Sequence, residues 1–216
     1  MGEFVQTERN RVRRMPARGA YDRATIYPIV DAALICHVGI VDDGQPIVIP
    51  TLHARRDDEI LLHGASTSRL LRYVATGAPV CITVSHVDGI VLARSVFHHS
   101  INYRSAVLFG QGRLITDEAE KVAVLAAFTE KLVPGRWDDA RVPNAIELKA
   151  TAAVAVTIES ASAKVRAGGP KDDEEDYALD VWAGVLPIQQ TIGELQVDPA
   201  TRKAVPVPDY LAAFRL

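Results

Sequence analysis

Residues 88–105 read DGIVLARSVFHHSINYRS, and they indicate the fold more clearly than any other part of the chain. The pattern predicts a strand carrying Arg94, then a polar tip with His98, His99 and Asn102, and then a second strand that begins at Arg104. A plain hairpin needs only Gly, Asn or Asp at its tip. The additional aromatic, amide, guanidinium and hydroxyl groups indicate that this hairpin also contributes to a ligand site.

Further strands are predicted on both sides of this hairpin, where apolar runs lie between turn signals. The predicted strands cover residues 34–41, 47–54, 60–63, 80–87, 90–97, 104–115 and 151–159. Helices are predicted after Asp22 and at residues 66–76 and 118–132. Because strands and helices do not alternate regularly, we expect a mainly antiparallel sheet of six or seven strands with inserted helices. Closure into a barrel would remove its exposed edges.

Composition excludes several classes of protein. The 216 residues are 48% hydrophobic and 24% charged, with a net charge of -3. This balance argues against a nucleic-acid binder that relies on positive potential. No apolar run reaches the length of a membrane span. The two cysteines, Cys36 and Cys81, lie within apolar runs and are expected to be buried, reduced thiols. We therefore expect a soluble cytoplasmic protein.

The chain divides into three predicted segments. Residues 1–20 form an N-terminal arm with a local run of arginines, which is either a solvated tail or an anion-binding arm. Residues 21–190 form the folded domain. Residues 191–216, rich in proline and polar residues, form a C-terminal extension packed on the same domain.

Two motifs predict polar sites. Ser66-Thr67-Ser68-Arg69 combines hydroxyls, helix N–H groups and a guanidinium, which suits a phosphate, although an ordinary Ser/Thr cap with a surface arginine has the same pattern. Pro50 interrupts the strand at residues 47–54, so this strand is an edge or is bent. Its free backbone groups either face a ligand or only protect the edge.

The histidines do not have the spacing of a metal site, so no metal site is predicted. His63 precedes Gly64, which allows close backbone approach, so His63 either lines a pocket or is a structural histidine. Trp182 either forms the wall of an aromatic ligand site or packs in the core. No Gly-x-Gly-x-x-Gly motif follows a strand, so a Rossmann dinucleotide site is not predicted.

The ordered set of motifs between Asp31 and Pro187 resembles the pyridoxamine 5′-phosphate oxidase-like flavin proteins, and most closely their nitroimidazole-resistance branch. The segments that carry the resemblance are CHVGIVDDGQPIVIPTLHAR, ILLHGASTSRLLR, DGIVLARSVFHHSINYRSAVLFGQGRLI, PGRWDDAR, ELKAT and WAGVLP. The resemblance implies a split β-barrel that forms a homodimer and binds FMN at the subunit interface.

The resemblance also implies the residues of the site. Ser68 and Arg69 match the phosphate motif of the oxidases, but the next basic residue of that motif is here Leu70. Arg104 and Ser105 are expected to supply the missing contacts. The other implied cofactor-binding residues are Ile49, Pro50, Thr51 and Leu52 along the flavin ring, Leu62 and His63 beside it, and Asn102, Tyr103 and Trp182.

The resemblance implies an FMN-dependent oxidoreductase that acts on a small electron-poor or quinone-like molecule. Its catalytic residue would be His63. The substrate-binding arginine–histidine signature of the oxidases does not follow Trp182, so oxidation of pyridoxamine phosphate is not expected. The alternatives are a non-catalytic flavin carrier and a haem-binding protein on the same barrel.

Overall fold

The computed structural model describes residues 2–202, 205–212 and 214. Its main feature is a nine-stranded antiparallel sheet in which seven strands follow the order β3-β2-β6-β7-β8-β5-β4, while β1 pairs with β8 and β9 with β6. The strands are β1 Gly19–Ala20, β2 Ile35–Asp42, β3 Gln45–Leu52, β4 Ala54–Arg56, β5 Glu59–Ala65, β6 Pro79–Leu92, β7 Ser100–Leu114, β8 Thr151–Arg166 and β9 Gly184–Pro187. The sheet is open, and the arrangement confirms the predicted split barrel.

Six α-helices pack around this sheet within the described residues. They are α1 Arg23–Ala32, α2 Arg69–Ala75, α3 Glu118–Leu132, α4 Arg136–Asp139, α5 Ala145–Ala150 and α6 Asp209–Ala212. Asp22 and Asp117 cap α1 and α3, because their side chains accept hydrogen bonds from Thr25 N and Glu120 N, each at 2.7 Å. The predicted helices at these two positions are therefore confirmed. No helix in the described part of the chain is both long and apolar enough to span a membrane.

The sheet separates two apolar cores. Ile60 and Leu62 of β5 point into the larger core together with residues of α1 and α2. Leu61 points to the other face, where it packs under Phe128 of α3. Successive strand residues face opposite sides, so neighbouring residues of β5 contribute to different cores.

The structure corrects the sequence prediction around residues 80–97. One strand, β6, replaces the two predicted strands, because pairing with β7 continues past a register shift between Val87 and Gly89. The Asp88-Gly89 pair is therefore a bulge and not a turn. The strand ends at Leu92, so Arg94 lies outside it, and a short 3₁₀ turn covers Val96–His98.

The pairing of β7 with β8 shifts register between Phe109 and Gly110, at the start of Gly110-Gln111-Gly112. A Cβ atom on Gly110 would lie 1.9 Å from the carbonyl oxygen of Thr157, and one on Gly112 would lie 2.2 Å from Val74 of α2. Glycine is thus required where β8 and α2 approach this strand. The predicted strand at residues 151–159 is longer than expected and continues to Arg166.

The N-terminal arm packs on the sheet. Phe4 is buried and contacts Tyr27 edge to face, with ring centroids 6.3 Å apart. Asn10 is also buried, and its Nδ2 donates to Val5 O at 3.0 Å and to Ala161 O at 3.1 Å. For the C-terminal extension, the structure describes a mostly exposed segment that ends in α6, and residues 203, 204, 213, 215 and 216 lie outside the described part.

Candidate functional site

The start of α2 carries the predicted phosphate motif. Ser68 is the N-cap residue, and its hydroxyl oxygen accepts from Leu71 N at 3.5 Å. Arg69 is mostly exposed, and its nearest carboxylate is Asp42 at 3.9 Å, which is too long for a hydrogen bond. The Arg69 guanidinium is therefore only weakly held and is available to an anion.

Strand β3 lies at an edge of the sheet, next to β2, which contacts α2. It pairs with β2 along its whole length, and Asp42, the weak partner of Arg69, pairs with Gln45 at its start. The predicted ring-binding segment Ile49–Leu52 completes the strand, with Ile49 and Thr51 half-buried. Within the described part of the chain, no strand pairs with the second backbone edge of β3, so its N–H and C=O groups can pair with a planar polar ligand.

Leu62 and His63 do not line one surface, although both are predicted to border the flavin ring. Leu62 is fully buried in the larger core. His63 points to the opposite face, beneath α3, where its ring meets Phe128 with centroids 4.1 Å apart. A ligand beside His63 therefore lies in a different compartment from the side chain of Leu62.

His63 lines a cleft of about 340 Å³. The rest of the wall comes from α3, α4, α5 and the start of β8, namely Leu125, Thr129, Trp137, Ala140, Arg141, Pro143, Glu147 and Thr151. Burial lowers the pKa of His63 below its ordinary value, so the imidazole is neutral at pH 7. Its Nδ1 atom is buried without a hydrogen-bond partner. Because this nitrogen is out of contact with solvent, it is the position of the ring on the cleft wall that links His63 to a ligand.

Arg141 and Glu147 lie at the polar side of this cleft. Their side chains pair at 2.7 Å, and Glu147 also completes the capping box of α5 with Asn144. Both contacts hold the pKa of Glu147 down at about 2. Apart from His63, the residues of the cleft wall were not predicted as site residues. Five of them nevertheless lie in the motifs PGRWDDAR and ELKAT, namely Trp137, Ala140, Arg141, Glu147 and Thr151.

The remaining predicted residues lie elsewhere. Arg104 forms a bidentate ion pair with Asp88 at 2.8 and 2.9 Å, which lowers the pKa of Asp88. The hydroxyl of Ser105 donates to Lys164 O at 3.2 Å. Tyr103 is half-buried. Arg104 and Ser105 are thus already engaged within the chain.

Asn102 is buried, and its side chain accepts from Arg166 and donates to Gly168 O at 3.1 Å. Trp182 is 66% exposed and lies against Gly184, where β9 pairs with the end of β6. Within one protomer this end is distant from Arg69. Leu92 of β6 pairs with Gly184 beside Trp182, whereas Cys81 of β6 pairs with Gly39, close to Asp42, the partner of Arg69. Cys81 and Leu92 are about eleven residues apart, a length that spans roughly 35 Å in a straight strand.

The adjacent histidines at the hairpin tip point to different partners. His98 Nε2 lies 3.2 Å from Asp173, while His99 Nδ1 contacts Ser95 O at 3.1 Å. Ligand-type atoms of His98, Asp173 and Asp176 lie within 4.8 Å of one another on an exposed loop. Exposed acidic groups of this kind commonly occur without a metal, so we assign none.

Another buried polar cluster was not predicted. His53 is fully buried, with Nε2 at 2.9 Å from Val30 O and at 3.0 Å from Lys131 Nζ. Burial, and next the charge of Lys131, lower the pKa of His53 to about 4. Burial also lowers the pKa of Lys131 to about 8. The sequence places these residues far apart, so only the packing of α3 on the sheet reveals the pair.

Residues 22–165 match the family model described as pyridoxamine 5′-phosphate oxidase, and the chain belongs to that family. The chain is similar to the flavocytochrome Anf3 from Azotobacter vinelandii, at 41% identity over 97% of this chain and 98% of the other, with a TM-score of 0.91. It is also similar to an FAD- and haem-binding protein from Mycobacterium smegmatis, at 35% identity over 90% and 96% of the two chains, with a TM-score of 0.86.

A Bacteroides thetaiotaomicron protein described as a 5-nitroimidazole antibiotic resistance protein shares the fold. Its identity is 24% over 68% of this chain and 86% of the other, with a TM-score of 0.58. A search of curated proteins gave no match.

Proposed function

We propose that this chain is a flavin-dependent oxidoreductase that acts on a small electron-poor or quinone-like molecule. The observation that carries the proposal is the similarity, over almost the whole chain, to two proteins described as a flavocytochrome and as FAD- and haem-binding. We propose FAD in place of the FMN expected from the sequence, because FAD is the flavin named for the M. smegmatis protein.

The residues at the start of α2 and along β3 fit a flavin. Arg69 supplies a weakly paired guanidinium for a phosphate, and Ser68 supplies a hydroxyl beside it. The free edge of β3 supplies backbone groups for the polar rim of the ring. When bound, the flavin would supply the electron-transfer chemistry, while these residues bind and orient it.

An absorbance spectrum of the purified protein tests this assignment, and mass spectrometry of the released cofactor separates FAD from FMN. We expect Arg69→Gln to weaken flavin binding by about 10-fold or more, because a charge-assisted hydrogen bond to phosphate contributes ~1.5–3 kcal/mol. Arg72→Gln, an exposed arginine on the same helix, is the matched control. A colourless protein that binds no added FAD or FMN would refute the proposal.

A second function, haem binding, is favoured by the position of His63 on the wall of a cleft and by the similarity to a flavocytochrome and to an FAD- and haem-binding protein. A neutral imidazole is a common axial ligand of haem iron. The cleft wall includes the apolar residues Leu125, Trp137, Ala140 and Pro143, and its Arg141 would supply a positive charge for a propionate. We propose that His63 holds the iron, with Phe128 fixing the orientation of its ring. This role replaces the catalytic one predicted from the sequence.

The Soret band reports on haem independently of the flavin. We expect His63→Ala to lose haem while flavin absorbance stays, because the two sites lie in different compartments. His99→Ala removes an exposed histidine and should retain both cofactors. Haem retained at full occupancy by His63→Ala would contradict the assignment.

We also propose that the protein is a homodimer with flavin sites at its interface. Support comes from the outer face of β2 and β3, where four large apolar side chains are exposed, namely Ile35, Val41, Val48 and Leu52. The register places these four on one face. Exposed apolar patches commonly mark interaction surfaces. A partner would also allow Trp182 of one chain to approach Arg69 of the other.

A further inference from the structure

The N-terminal arm and the outer face of β7 and β8 enclose a second cleft, of about 280 Å³. The arm contributes Arg9, Arg11, Arg13 and Arg14 to its walls, and the strands contribute Ser105, Val107, Phe109, Ser162 and Lys164. The arm is held in place by buried Phe4 and Asn10. The walls of the cleft are therefore packed structure.

Positive charge exceeds negative charge around this cleft. Glu8 pairs with both Arg11 and Arg13, at 3.2 and 2.9 Å, and Glu159 pairs with Arg9 at 3.4 Å. Among the described residues, no carboxylate forms an ion pair with Arg14, Arg18, Lys164 or Arg166. This surplus occurs in a chain whose net charge is -3.

The buried charge of Arg166 makes this excess of positive charge unfavourable for the stability of the fold. Arg166 follows Lys164 on the same face of β8, and it is only 8% exposed. Its guanidinium donates to two neutral oxygens, Asn102 Oδ1 and Gly169 O. Burial and the nearby charge of Arg18 lower the pKa of Arg166. A buried charge without an opposite charge is strongly destabilising, so a bound anion nearby would offset this cost.

The size of the cleft indicates more than a single small ion. Its volume would hold roughly nine water molecules at ~30 Å³ each. The floor combines the Phe109 ring with the Ser105 and Ser162 side chains, so it offers an apolar surface beside hydroxyl groups. Arg9 already lies over the Phe109 ring, 4.8 Å from its centroid. A nucleotide, with a planar base and a charged phosphate chain, matches this combination.

We propose that the arm cleft binds the phosphate groups of a nucleotide, with Lys164 and Arg14 in contact with the anion and Arg166, two residues further along β8, adding its charge from outside the cleft wall. The cleft lies on the outer face of β7 and β8, because Phe109 lines it while Ala106 and Leu108 of the same strand face the larger core together with residues of α2. The residues that line this cleft differ from those proposed above to bind the flavin and haem.

Two sources could supply this chemistry, namely a free dinucleotide electron donor and the adenosine diphosphate end of a flavin held by a second copy. Calorimetric titration of the purified holoprotein with pyrophosphate, ADP and NADPH tests the shared chemistry. We expect one saturable site per chain for ADP and an affinity that falls as salt is added. Binding of NADPH to the holoprotein points to a free nucleotide, whereas binding of ADP only after flavin removal points to the flavin.

The double variant Lys164→Gln/Arg14→Gln should weaken ADP binding by 10-fold or more. The double variant Arg72→Gln/Lys149→Gln removes the same charge from exposed positions elsewhere and should bind ADP like the original chain. Circular dichroism confirms that both variants fold, and absorbance of the same samples reports flavin and haem separately. Absence of saturable binding at millimolar ADP with and without flavin, or equal affinity in the two double variants, would overturn the proposal.

Discussion

The buried histidines show how single side chains take their properties from long-range packing. His53 and His63 both have an Nδ1 atom without a partner, and His63 lines the cleft beneath α3. His53 lies instead between Val30 O and Lys131. Its role is therefore structural, and the residue links the stability of the protein to pH.

We expect His53 to make the protein less stable in mild acid. Its pKa is about 4 when folded and about 6.5 when unfolded, so the unfolded chain binds the extra proton between these values. Stability is fully present above pH 6.5 and falls by up to roughly 3 kcal/mol as the pH drops to 4. Urea unfolding at pH 7.5 and pH 4.5 measures this loss.

His53→Leu should reduce the difference in unfolding free energy between the two pH values. His99→Leu, which changes an exposed histidine, should leave that difference as it is. If His53→Leu shows the same pH dependence as the original chain, His53 is not the titrating group.

At the scale of elements, the close approach of β7 and β8 predicts that a larger residue at Gly110 destabilises the fold. Gly110→Ala places a Cβ atom against Thr157 O, so the strands must separate locally. We expect a loss of about 3 kcal/mol or more in the free energy of unfolding, measured by urea denaturation. Gly193→Ala, where nothing lies within 4 Å, should change it by less than about 1 kcal/mol. Equal stability of the two variants would contradict the predicted clash.

The elements also show what the sequence can predict. The Asp22 and Asp117 caps and the strong periodicity of the strands are local signals, and the structure confirms the elements they predict. The two strands predicted at residues 80–87 and 90–97 are one strand in the structure, because pairing with β7 and β9 continues at Gly89 and keeps Asp88 and Gly89 within β6. The His63 cleft was not predicted because its walls come from β5, α3, α4 and α5, whose contacts have no local signature.

For the whole molecule, the exposed face of β2 and β3 predicts the oligomeric state. Val48→Lys places a charge in the centre of that apolar face, and we expect the dimer to dissociate and flavin affinity to fall. Val197→Lys is a matched control, since the two valines are 64% and 65% exposed. Light scattering after size-exclusion chromatography measures the mass. A chain that is monomeric before substitution would rule out the proposed interface.

The position of β8 in the sheet has a consequence for synthesis. β8 pairs with β1, β5 and β7, and the strand partner of Gly19 is Lys164, far along the sequence. A growing chain on the ribosome therefore cannot form the seven-strand order from β3 to β4 until about residue 166 has left the exit tunnel, and β9 joins β6 later. Such distant pairings slow folding and leave early strands without partners. We infer that cofactors load after translation of β8, when the strands that carry both sites first share one framework.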